Sequence, residues 1–164
     1  MPILPAERDP RLITKRRGGT LTGEHHRLLA EWAALCAEHV LHLSSRSSRA
    51  TPARVTLSTS VVPGSAARAA FVANAAARGL PDPAKFAALA AGQAVAVAHV
   101  AAHDLGAAAY AIRAAIASAV ASEAESARVR ERDWQRERIP TEVRELVLDD
   151  QQRRSAICWN VFDD

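Results

Sequence analysis

His99 and His103 stand four residues apart, so on a helix both imidazoles would leave from one face, close enough to share a divalent metal ion. His39 and His42 form a second helical pair at a spacing of three. Taken together, His39, His99 and His103 would make a three-histidine site between two helices, with water completing the coordination sphere. The plainer reading of the same residues is polar side chains at helix ends and half-buried faces. That reading is preferred, and with it the expectation of no metal and no cofactor. Neither His99 nor His103 belongs to an HExxH motif, and the chain has no GxSxG, no Gly-rich phosphate loop and no paired zinc-ligand motif. The serines between Ser44 and Ser48 lack a base and read as a loop. Tyr110 and Arg113 would border a small polar pocket if they did not satisfy one another. Cys36 and Cys158 each sit in an apolar helical pattern far from any CxxC spacing, which makes them reduced core residues. No catalytic residue is expected.

The residues better suited to binding than to catalysis lie late in the chain. Trp134 is flanked by charges, the setting in which an indole acts as a contact hot spot. In the last segment Val143, Leu146 and Val147 are separated from Ile157, Cys158 and Val161 by the wholly polar run 149–155. Polar side chains therefore fall where a buried stripe should continue: either the stripe drifts around the helix, or a polar cluster there is paired internally or presented to a partner. Trp134, Asp149, Asp150, Arg153 and Arg154 are accordingly the candidate partner-binding residues.

Composition narrows the class. Basic and acidic residues nearly balance, 21 against 18, for a net charge of +3. Aromatics make up 4% of the chain, so the basic face interleaved with stacking rings that marks nucleic-acid proteins is missing. The basic stretch 128–138 contains Glu131, Asp133 and Glu137 and reads as a solvated mixed-charge helix face. The apolar region 86–121 is mostly alanine and is interrupted by His99, His103, Asp104 and Arg113, which argues against a membrane span. Two early prolines and frequent charges replace the apolar core of a signal peptide, so a cytoplasmic location is expected.

These residues must be positioned by helices. Residues 1–20 hold prolines, a Gly-Gly and no apolar period, and read as a flexible or loosely docked arm; residues 21–164 form one domain. Leu28, Leu29, Trp32, Leu35, Cys36, Val40 and Leu43 recur at helical spacing, with Thr20 or Thr22 as cap and Glu24 in the first turn. Residues 51–62 suit a strand by β-branching and a helix by Thr51-Pro52; a lone strand would have nothing to pair with, which favours the helix. A short helix capped by Ser65 should stop at Gly79. Asp82-Pro83 reads as the cap and first position of a long helix, a break is expected around 103–106, and Leu105, Ala109, Ile112, Ile116 and Val120 mark the next helix. Pro140-Thr141-Glu142 restarts the last. The fold class is all-α, a compact bundle of about six or seven helices with an alanine-rich core in which backbones approach closely.

Four segments carry a family likeness: HRLLAEWAALCAEHVL (26–41), ARAAFVANAAARG (67–79), AGQAVAVAHVAAHDLGAAAYAIRAA (91–115) and VRELVLDDQQRRSAICWNVF (143–162). They resemble the immunity proteins of the Imm-five-like group. The resemblance implies a small all-α bacterial protein that masks a toxin of its own cell by non-covalent association, with a protein partner and no substrate turned over. Relatives continue after the first helix with a Phe/Glu and an Asp-x-Arg-Pro-Arg stretch, whereas residues 42–62 here read HLSSRSSRATPARVTLSTSVV. The histidine spacing, in turn, resembles the metal site of DinB-like four-helix bundles, which implies the alternative of a metal-binding protein or metal-dependent enzyme. Self-association of a homodimer through the alanine-rich faces is the third reading.

Overall fold

The computed structural model describes residues 4–5, 7–45 and 77–164. Among them are six α-helices and five 3-10 turns, and no strand beyond the isolated bridge between Thr14 and Leu21. The helices are α1 (Gly23–His39), the single turn α2 (His42–Ser45), α3 (Ala84–Ala96), α4 (Asp104–Ser118), α5 (Ala124–Glu137) and α6 (Thr141–Arg154). The all-α class follows. The helix-or-strand question at 51–62 and most of the helix expected after Ser65 lie outside the described residues.

Sequence explains where α1 starts. Thr22 is extended and its hydroxyl accepts from the His25 N–H at 3.1 Å, while Glu24 lies in the first turn, where its charge suits the helix dipole. Leu29, Trp32, Cys36 and Val40 are buried as the periodicity predicts, but Leu35 points outward at 44% exposure. Trp32 anchors the centre: its ring is fully buried and its Nε1 donates to the Gln135 carbonyl at 3.0 Å, which settles the one polar atom of the indole.

Helix α4 is central, packed against α1, α3 and α5. Leu105, Gly106, Ala107, Ala108, Ala109, Ala111, Ile112 and Ala114 are all buried along it, which requires small side chains on more than one face. Two boundaries differ from the sequence expectation. Helix α3 begins at Ala84 with Pro83 as its cap, one step later than Asp82 as cap would give, and no side chain caps it. The break between α3 and α4 comes at 97–103, through a turn and the 3-10 segment Ala101–His103, and Asp104 is the first residue of α4 with His103 at the cap.

Residues 10–21 form a compact double turn that buries Leu12 and Leu21. The Gly-Gly makes it possible. Gly18 is left-handed at φ 86°, and a Cβ on Gly19 would fall 2.0 Å from the Ile13 carbonyl oxygen. At the other end, Trp159 and Asn160 are both left-handed, at φ 58° and 56°, and turn the chain so that residues 161–164 run back across α5.

Candidate functional site

Helix α6 is built on one stripe. Val143, Val147, Asp150, Gln151 and Arg154 are its buried residues, at the spacing of a single helical face, so the stripe continues straight while its chemistry changes from apolar to polar. Asp150 and Arg154 are therefore paired internally. The Arg154 Nε lies 2.9 Å from both Asp150 carboxylate oxygens; one terminal nitrogen donates to Asp150 and, at 3.2 Å, to Asp104 Oδ1, while the other reaches the Ala102 carbonyl at 2.7 Å. Exposure of Asp104, Asp150 and Arg154 is 0%, 3% and 4%. Two carboxylates thus share one guanidinium, and Asp104 Oδ2 has no partner. Burial drives the Asp104 carboxyl up to about 7, against the opposing pull of Arg154, and raises Asp150 for the same reason.

Asp149 and Arg153, on the opposite side of α6, face outward. Asp149 pairs with Arg153 at 2.9 Å and with Arg11, which also holds Asp9 at 2.6 Å. The hydrogen bond from Arg11 holds the Asp149 carboxyl below the usual carboxylate range. The double turn at 10–21 is fastened to α6 by this exposed network. Trp134 on α5 is half-buried: the His39 ring stacks on it at 3.6 Å and 4°, and the Arg138 guanidinium covers it at 4.1 Å. Of the five predicted contacts, Arg153 is exposed, Trp134 and Asp149 are half-buried, and Asp150 and Arg154 are buried.

The histidines do not converge. His39 Nδ1 lies 2.8 Å from Glu131 and His103 Nδ1 lies 2.7 Å from Gln93 Oε1, while His99 leaves a buried Nε2 without a partner. Burial lowers the His103 pKa, with Arg154 and Arg8 adding to the effect. Among the described residues no three His, Cys, Asp or Glu side chains come together as a metal site. Tyr110 and Arg113 do not border an open pocket. Arg113 is inserted between the Phe86 and Trp159 rings, at 4.1 and 4.4 Å, with Tyr110 against Trp159 at 5.2 Å. Both cysteines are free and buried, and burial pushes Cys158 up to about 12.

Reading 128–138 as a solvated face missed its main role. Glu131, Arg132 and Gln135 are buried, and Gln135 donates to Glu131 at 2.9 Å and to the Ala108 carbonyl at 3.2 Å. Arg128, Arg132 and Arg136 form a ladder that holds the 161–164 segment by its carbonyl groups. The signal was present in their spacing of four, which aligns three guanidinium groups along one face.

Two shallow depressions adjoin on this side. One is lined by Thr141, Arg144, Glu145, Leu148, Asp149 and Gln152; the other by Arg136, Leu148, Gln151, Gln152 and residues 162–164. Both are open to the surface. Neither assembles a nucleophile with a base.

No described helix is long and apolar enough to cross a membrane. The family model described as Imm-5 like putative immunity protein matches residues 19–142, well over half of the chain, so that Trp134 falls inside the match and Asp149 to Arg154 beyond it. No curated protein and no solved structure matches the sequence. The family match spans more than half of an all-helical chain, and the chain belongs to the family described as Imm-5 like putative immunity protein.

Proposed function

We propose that this protein is a cytoplasmic immunity factor that protects its cell by binding a protein toxin non-covalently, with no substrate turned over. Family membership supports the role, and the outer faces of α5 and α6 support the mode. The observation that carries it is Trp134. Its indole is held between His39 and Arg138 before any partner arrives, so docking against it would lose little side-chain freedom. Asp149 and Arg153 extend the surface with charges already oriented by Asp9 and Arg11. Asp150 and Arg154 contribute from below, by keeping α6 in place. The segment near residue 50 is a further candidate contact.

The test is co-expression with candidate toxins of its own cell. Growth should be restored only when this protein is made in at least equal amount, and the two should elute together in size-exclusion chromatography. Protection by a small substoichiometric amount, or without a complex, would show a catalytic protector and overturn the reading.

A further inference from the structure

We propose that the cleft between α5, α6 and residues 162–164 receives an acidic side chain of the protein partner, and that Asp164 stands at its mouth, on Arg136, as a displaceable stand-in. The inference rests on the immunity reading above and names the chemistry of its partner.

The cleft is an open depression of about 400 Å³. Its polar wall is Arg136 with Gln151 and Gln152, and Arg136 is the last rung of the arginine ladder on α5. Arg128 donates to the carbonyls of Val161 at 3.0 Å and Asp163 at 2.6 Å, Arg132 to that of Asp163, and Arg136 to that of Phe162 at 2.7 Å. The ladder thus already binds, by its backbone carbonyls, a turn of this chain that ends in two acidic residues. Forked guanidinium donors suit carboxylates as well as carbonyls, which makes the acidic character of the occupant a consequence of geometry.

The two carboxylates of that segment are held differently. Asp163 is tied to the Ser155 hydroxyl, so it belongs to the fold. Asp164 bridges Arg136 at 2.6 Å and Arg132 at 3.2 Å while its side chain stays 86% exposed. Exposed pairs of this kind are weak and are readily exchanged for another carboxylate. Gln151 supplies the reason for exchange. It lines the cleft and is 1% exposed; its Oε1 accepts from Arg136 Nε at 3.0 Å, and its Nε2 has no partner. A buried donor without an acceptor is unfavourable, and an incoming carboxylate deep enough to take both the Arg136 and the Gln151 N–H groups would satisfy it. Leu148 and Phe162 give the same cleft an apolar wall, and through Leu148 and Gln152 it continues into the depression beside Asp149. The occupant is therefore a protein segment with an Asp or Glu next to an apolar residue.

A fluorescein-labelled peptide alternating Asp and Leu is the probe, with its Lys-for-Asp counterpart as control. Asp164→Asn, at an exposed position, should keep the fold and bind the acidic peptide roughly two- to fivefold more tightly than the natural sequence. Arg136→Gln should weaken binding at least about tenfold; should it fail to fold by circular dichroism, Arg136→Lys replaces it and should bind at an intermediate level. The Gln151 side-chain amide resonances should shift on titration. Absence of saturable binding to the Asp164→Asn variant, equal binding of the Lys peptide, or unmoved Gln151 resonances would each overturn the proposal, as would dimerisation of that variant in sedimentation. Growth protection is read separately: if it fails while peptide binding holds, only the immunity reading falls, and if it holds while peptide binding fails, only this inference does.

Discussion

Between α4 and α6 lie two carboxylates and one guanidinium, out of contact with water and one negative charge in excess. The groups facing them are His103 at the start of α4 and Cys158 beyond α6, with Asp9 and Arg11 bearing on Asp150 from the N-terminal side. The excess charge is relieved by a proton on Asp104, whose carboxyl titrates at about 7 in the fold against 3.8 in a free chain. The sign follows from linkage. Between those two values the folded protein keeps a proton that the unfolded chain releases, so stability falls as pH rises from about 4 to about 7. Carboxylates held low by arginines, such as Asp9, Asp149 and Asp164, act oppositely and lose their contribution only below their ordinary pKa. Urea unfolding at pH 5 and pH 8 should therefore show the natural sequence losing on the order of a few kcal/mol, and Asp104→Asn should remove most of that difference. An unchanged slope would place the proton elsewhere. Arg154→Met leaves both acids without their partner and should cost about 3–5 kcal/mol at pH 8. Sequence reading saw that the polar run 149–155 interrupts the apolar stripe of α6 but took Asp150 and Arg154 for partner contacts, whereas they are buried and paired with one another. The deciding residue, Asp104, is 50 positions away from Arg154 and only the fold brings it there.

At the scale of elements, what was legible followed from local chemistry. Thr22 supplies an acceptor at the point where the apolar period of α1 begins, and its replacement by Ala should cost about 1 kcal/mol in denaturant titration. The end of α3 was harder to read, because Val97 and Val100 continue its apolar period past the point where the helix ends at Ala96. Periodicity registers burial, and a turn packed into the core is buried as well. Val97 is fully buried in that turn, and its carbonyl accepts from His26 Nε2 at 2.6 Å, a long-range contact no local pattern announces. The methyl-lined interfaces of α4, by contrast, were evident from alanine content and carry a sharp consequence. Ala109 has no exposed surface, so Ala109→Leu should destabilise by about 1–3 kcal/mol, since close-packed backbones leave no room for the added carbons. A stabilised variant would mean that α4 is loosely packed. Arginines in α5 were misread for a related reason: a charged helix looks solvated until another segment is found lying across it.

For the whole molecule the question is how a nearly balanced chain of net charge +3 recognises one partner. Its charges are arranged locally, with the arginine ladder of α5 tied to residues 161–164 and Asp9 and Arg11 of the N-terminal turn paired with Asp149 and Arg153 of α6, while Trp134 of α5 is the proposed aromatic anchor. Charges at the rim of an interface act mainly on the rate of encounter, whereas a packed indole acts on the lifetime of the complex. The two contributions are therefore separable in kinetics. With a captured protein partner immobilised, Arg153→Ala should lower the association rate a few-fold and flatten its dependence on salt, leaving dissociation nearly unchanged. Trp134→Ala should instead speed dissociation by roughly 30-fold or more, the range of a hot-spot loss of about 2 kcal/mol, with association unaltered. Circular dichroism should show both variants folded, because neither side chain belongs to the buried core. If Trp134→Ala dissociates at the natural rate, the sandwich of His39, Trp134 and Arg138 only braces α1 against α5, and the partner must be held elsewhere on the surface.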